Sequence, residues 1–229
     1  VEIVSVNVGT PRNIEWRGDI VMTSIFKEPV EGPVTVRRVN LDGDEQSDLS
    51  VHGGPNKAVY AYLAEHYDFW RGELPDAELG WGSFGENLTV SGLPDEDAIF
   101  VGDRLRAGSA LFAVTQPRLP CFKLSVRFGR PDMVKRFLAS GRTGFYLSVV
   151  KEGVVAAGDE IEIVSRDPDR VSVADITRLY AHDRADLETM RRAAELEALP
   201  EEWRHWFRER LAAATSASVR GTTEAPQLG

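Results

Sequence analysis

Short runs of alternating apolar and polar residues, each cut off by Gly, Pro or Asp, recur through the first 165 residues and limit how this chain can fold. "EIVSVNV" opens the series with Ile3, Val4, Val6 and Val8, and "DIVMTSIF" and "VTVRRVNL" follow. "LDGD" at Leu41–Asp44 is a tight-turn signal. Further along come "DRLRAG", "ALFAVTQ", "GFYLSVV" and "DEIEIV". A side-chain period of two suits strands that bury one face. Many such strands joined by tight turns predict a mainly β domain, closed or half-closed as a barrel. "VGDRLRA" and "AGDEIEI" echo one another, too briefly to make a repeat. Peripheral helices are expected over 63–74 and 131–139, the second opened by a proline suited to a first helical turn.

The pattern changes after Asp167. "RDPDR" reads as a linker, and Ser172 with Asp175 three residues on is an N-cap signal. Helical patterns over 186–198 and 200–214 complete three helices, and "TSASVRGTTEAPQLG" is small and polar. The expected organisation is a β domain over 1–166, a three-helix appendage over 170–215 and a flexible tail over 216–229. At 229 residues, 42% of them hydrophobic, the chain can bury a sizeable core. Its net charge of −9 argues against a general nucleic-acid or acidic-membrane binder. No apolar run approaches the ~20 residues that span a bilayer, and "VEIVSVNVGTPRN" has no signal-peptide character. A single cysteine suits a reducing cytoplasm.

That cysteine, Cys121, sits in "TQPRLPCFKL". It is either a small buried hydrophobe or a thiolate nucleophile or metal ligand. Charge favours the second: between Pro117 and Lys151 stand eight cations and one acid, Asp132, in an acidic chain. Nearby cations lower a thiol's pKa and suit a small anionic ligand such as a phosphate. Lys135 and Arg136 read as a helix surface instead. "VHGGPNKAVYAY" places Gly53, Gly54 and Pro55 between His52 and Lys57, a backbone path whose amides can approach a ligand. "GSFGENLTV" holds Ser83, Glu86 and Asn87 as a pocket wall or a turn. One cysteine and four histidines give no zinc spacing. A Cys121–His52 hydrolase lacks an orienting third group. Trp203, Trp206 and Phe207 read as one buried helix face.

Taken together, "DGDEQSDLSVHGGPNKAVYAY", "FGENLTVSGL", "VGDRLRAG", "TQPRLPCFKL", "GRTGFYLSVVKEG" and "AGDEIEIV" resemble, in order, the MOSC family, relatives of the carboxy-terminal domain of molybdenum-cofactor sulfurase. The helical tail resembles that of the family's YiiM-like branch. The resemblance spans about Asp42 to Val164 and implies a MOSC-type β-barrel that binds the molybdenum cofactor (Mo-molybdopterin), with Cys121 ligating molybdenum. Arg118, Lys123 and Arg142 are then the expected phosphate or pterin contacts, followed by Lys57, His52 and the amides of Gly53 and Gly54. Asn87 would be a wall residue, and His52 could also deliver protons. The implied activity is two-electron reduction of N-hydroxylated compounds, such as hydroxylaminopurine-type base analogues, a detoxification. No flavin, dinucleotide or iron–sulfur motif is present, so a separate reductase must supply electrons. The expected partners are a small-molecule substrate and that reductase, with a homodimer left open. A non-catalytic cofactor carrier or sulfur-handling protein is the alternative, and a molybdenum-independent cysteine hydrolase the third.

Overall fold

The computed structural model describes residues 1–47, 53–183 and 185–221. Strand β1 (Glu2–Val8) turns Ile3 and Val6 into the core. Strands β2 (Arg12–Trp16) and β3 (Asp19–Thr23) pair with each other as a separate hairpin and leave Ile20 and Met22 exposed. Strand β4 (Glu28–Pro29) pairs with the end of β1, and β5 (Val34–Val36) follows. Strand β6 (Val59–Leu63), helix α1 (His66–Glu73) and strand β7 (Leu88–Ser91) form a crossover, with β6 and β7 parallel. Strands β8 (Arg104–Ala107) and β9 (Ala110–Pro117) are antiparallel. Helices α2 (Phe122–Phe128) and α3 (Met133–Ala139) precede β10 (Phe145–Lys151). Strand β11 (Gly153–Val155) pairs with β5, and β12 (Ile161–Ser165) with β8.

Eight strands make one sheet in the order β12-β8-β9-β10-β6-β7-β1-β4. The expected barrel is corrected here, because the ladder does not close among the described residues. β4 covers only the last residues of β1. The first residues of β1 instead meet the turn before β12, where the Ile3 amide donates to Asp159 O (2.9 Å) and the Gly158 amide to Ile3 O (2.8 Å). The sheet thus curls until its ends touch along a short seam, while β12 and β4 remain its edges.

β6 separates two cores. Val59, Ala61 and Leu63 face the inside of the curled sheet, with Leu88, Phe112, Phe145 and Leu147. Tyr60 and Tyr62 face the other way, into an aromatic layer with Tyr67, Trp70, Phe84 and Phe137 under the peripheral helices. Each large side chain so buried contributes about 1.5–3 kcal/mol. Gly144, at φ +61°, permits the close approach of β10 to β6, since a Cβ there would lie 2.5 Å from Ala61 O.

Helices α4 (Val173–Ala181), α5 (Leu187–Glu195) and α6 (Glu201–Gly221) form the appendage. Ser172 caps α4 as expected, in a full capping box with Asp175. α6 runs to Gly221, past the residue at which a flexible tail was expected to begin. The helices share a third core with Val101 of the sheet domain and with Leu119.

Candidate functional site

The loop around Cys121 is built by a strand leaving the sheet. β9 stays paired through Pro117, opposite Phe145, and the Arg118 amide then donates to Gly144 O (3.3 Å). From there successive side chains part. Arg118 turns inward and is 6% exposed, its guanidinium 5.3 Å from the Tyr60 ring and 5.1 Å from the Phe137 ring. Leu119 packs into the helical appendage. Cys121 becomes the N-cap of α2, half-buried. Two residues on, Lys123 Nζ donates to Ser47 Oγ (2.8 Å).

Cys121, Arg118 and Lys123 open into one cleft, together with Tyr60, Tyr146 and Lys57. Its other wall holds Lys27, Asp44, Gly53 and Asn87. One guanidinium nitrogen of Arg118, Nη1, is buried with no hydrogen-bond partner among the described residues. A buried charge left short of a partner is costly, and an anionic ligand in the cleft would satisfy it. The surrounding phenols stay neutral: burial raises the pKa of Tyr60 and Tyr146, although the Arg118 charge pulls against it.

The far wall is braced. Lys27 and Asp44 form a buried ion pair, and Asp44 also accepts from the Gly9 amide (2.9 Å) and from Asn87 Nδ2 (3.0 Å). Burial lowers the Lys27 pKa against the pull of Asp44. Asn87 ties three segments together. Its Oδ1 accepts from the Tyr60 amide (3.1 Å), and its Nδ2 donates to Asn7 O (3.3 Å) as well as to Asp44. Asn87 is therefore a wall with both amide protons committed. Glu86 lies beneath it, fully buried, accepting from Tyr67 Oη, the Gly82 amide (2.8 Å) and Thr89 Oγ1 (2.9 Å). Burial raises its pKa.

The sequence-predicted residues are thus only partly gathered. Cys121, Arg118, Lys123, Lys57, Gly53 and Asn87 share the cleft. Gly54, at φ +82°, caps the short 3-10 turn Pro55–Lys57 behind it. His52 lies outside the described residues. Arg142 is not brought to Cys121, which corrects its assignment as a contact in this cleft. Tyr62 Oη donates to Arg142 O (3.1 Å), and the Arg142 guanidinium sits 4.2 Å from the Phe69 ring, in another cleft beside His66 and Glu96. Other cations of the basic window are used elsewhere: Arg130 pairs with Asp132, Arg136 pairs with Glu73, and Lys135 is exposed. Lys27, Asp44, Tyr60 and Tyr146 were not singled out from the sequence. Tyr60, Tyr146 and Asp44 belong to stretches already noted, Asp44 as the last residue of "LDGD", whereas nothing local marks Lys27.

The family model of the MOSC domain matches residues 48–162, and that of the YiiM-like, 3-alpha helix domain matches residues 171–214. The chain is similar to the protein YflK of Bacillus subtilis, at 42% identity over 90% of this chain and 92% of that one. It is similar to a protein named Reductase from Gibberella moniliformis, at 34% identity over 78% of this chain but 32% of the longer relative. Among solved structures it resembles YiiM from Geobacillus stearothermophilus, with a TM-score of 0.77, 37% identity, and coverage of 92% of this chain and 98% of that one.

Proposed function

The chain belongs to the MOSC family, whose domain binds molybdenum cofactor, and carries the YiiM-like three-helix domain behind it; on that premise we propose that it is a molybdenum-dependent reductase of N-hydroxylated compounds. The observation that carries the reading is one cleft holding both the chain's single thiol, Cys121, and the unpartnered, buried Nη1 of Arg118. A soft thiolate suits a heavy metal ion. A buried guanidinium with Lys123 at the rim suits the anionic tail of the same cofactor. The donor set therefore fits the group. The name of the fungal relative, Reductase, supports a redox role over pure carriage.

When bound, the molybdenum cofactor supplies the two-electron redox chemistry that N–O cleavage needs. The residues of this chain bind and orient. Cys121 offers the protein's sulfur ligand, and Arg118 and Lys123 hold negative charge. Tyr60 and Phe137 fix the Arg118 plane from beneath, and the Lys27–Asp44–Asn87 brace keeps the opposite wall in place. The overall conversion takes R–NH–OH, two electrons and two protons to R–NH2 and water. The electrons come from a separate reductase. Lys27 and Lys57 also line the cleft.

The test uses full-length protein from a host that makes the cofactor. Molybdenum and pterin fluorescence should be present in near-equal amounts with protein. After anaerobic chemical reduction, 6-hydroxylaminopurine should yield adenine by chromatography. Cys121→Ser should stay folded and lose that turnover. Confirmed molybdenum occupancy with no amine formed from several N-hydroxylated compounds would overturn the reductase reading in favour of a cofactor carrier.

A further inference from the structure

Beside the cleft lies a second recess that the chemistry above does not use. Tyr180 of α4 and Trp203 and Trp206 of α6 form its wall, and Leu119, Lys57 and Glu202 form its edge. Two of these residues tie it to the cleft. Lys57 lines both spaces, and Leu119 lies in the loop between Arg118 and Cys121. The rings do not serve only to close the helical core. Phe207, Ile176 and Leu179 are fully buried there, yet Tyr180 is 39% exposed and Trp206 only half-buried. Burying all three aromatics of α6, as expected from their spacing, would have left no such opening. The wall is also fixed in orientation. Trp203 Nε1 donates to Gln116 Oε1 (2.5 Å) on β9, and the Arg210 guanidinium covers one face of Trp206 at 3.8 Å. At the edge, Lys57 Nζ and Glu202 Oε1 stand 3.4 Å apart and offer a donor and an acceptor side by side.

We propose that this recess binds the ring system of a planar heteroaromatic substrate, so that the appendage selects substrate for the neighbouring cleft. Tyr180 is 39% exposed, and Trp206 is half-buried with Arg210 over one face and Tyr180 tilted against it at 5.6 Å; the ring surface these two leave open can stack on a nucleobase-like ring, and the Lys57–Glu202 pair matches the mixed acceptors and donors of such a ring's edge. An aliphatic hydroxylamine has neither feature. The proposal rests on the reductase reading for what happens next, but not for binding.

The experiment therefore separates the two. Adenine, the amine left by reducing 6-hydroxylaminopurine, is titrated into full-length, cofactor-loaded protein and followed by tryptophan fluorescence and calorimetry. Wild type should bind and quench. Tyr180→Leu and Trp206→Leu should each weaken adenine by about tenfold or more. They should also lower the preference for 6-hydroxylaminopurine over N-methylhydroxylamine by a similar factor. Should Trp206→Leu melt early, Tyr180→Leu, at a more exposed position, still carries the test. Adenine that fails to bind folded wild type, or that binds both variants equally well, overturns the proposal. Protein that binds adenine through these residues yet reduces no N-hydroxylated compound upholds the recess and sinks the reductase reading. Protein that reduces N-methylhydroxylamine but ignores adenine does the reverse.

Discussion

Arg118 differs from the other cations near Cys121 in being buried with an unpartnered nitrogen while facing the cleft. Desolvating a guanidinium is costly, and two aromatic rings return only part of that cost. Its bond to an anionic ligand should therefore be worth about 1.5–3 kcal/mol, tenfold or more in affinity. Arg118→Ala should lose molybdenum and pterin on dialysis, and Arg118→Lys should recover only part of the loss, because an ammonium lacks the planar fork. Lys135→Ala and Arg142→Ala should keep the cofactor, one being exposed and the other lying in a different cleft. Equal retention in all four variants would remove Arg118 from the site. The sequence marked Cys121, Arg118 and Lys123 because they are neighbours in one unusual, proline-framed stretch. Arg142 was expected there only because it lies in a stretch that resembles the family, and membership in a matching stretch does not place a side chain in the cleft.

At the scale of elements, strands that alternate were legible and strands that do not were missed. β6 is buried at every position, so "VYAYL" shows no period of two, although its residues divide between two cores. α2, seven residues long like the α3 that was expected, was not read from the sequence. The brace of Lys27 and Asp44 was illegible for another reason, since the two residues come from separate loops, 17 positions apart. Breaking such a buried pair leaves a charge unmatched and costs about 3–5 kcal/mol. Asp44 keeps its bonds from Gly9 and Asn87, so Lys27→Met should fall at the low end, about 3 kcal/mol by denaturant unfolding. Its pH dependence has a definite sign. The Lys27 pKa is lowered by burial, so between the folded and unfolded values the unfolded chain binds more protons and stability rises with pH. Wild type should gain on Lys27→Met as pH climbs from the folded Lys27 value toward the ordinary lysine range, because the buried amine sheds its proton at a lower pH than the unfolded one, and it should therefore show the steeper rise across that window. Parallel stability curves would mean that Lys27 is not held against its charge.

At the scale of the whole molecule, the sequence placed a boundary near Asp167, and the two family matches fall on either side of it. A boundary in sequence is not a seam in the structure. The Val101 amide donates to Val171 O (3.0 Å), and the Val173 amide to Ile99 O (2.9 Å), so the chain entering α4 is stitched to the sheet domain before the helix begins. Val101 and Leu119 are members of the helical core. Gln116, 1% exposed, spends its oxygen on Trp203. These contacts were illegible in sequence because each joins residues far apart in the chain, and the aromatic spacing of α6 revealed a buried face without revealing what buries it. A chain ending at Arg166 would uncover Val101 and Leu119, strip Gln116 of its donor and free Lys57 from Glu202. The loop that carries Cys121 would lose the anchor on its Leu119 side. Such a truncated chain should aggregate in light scattering as apolar surface is exposed, and any soluble fraction should melt earlier and retain less molybdenum than the full chain. Restoring the helices as a separate polypeptide over 167–221 should recover solubility if the contacts named here hold the two parts together. A truncated chain that stays monodisperse and keeps its cofactor would mean that the sheet domain builds its site alone and that the appendage merely lies against it.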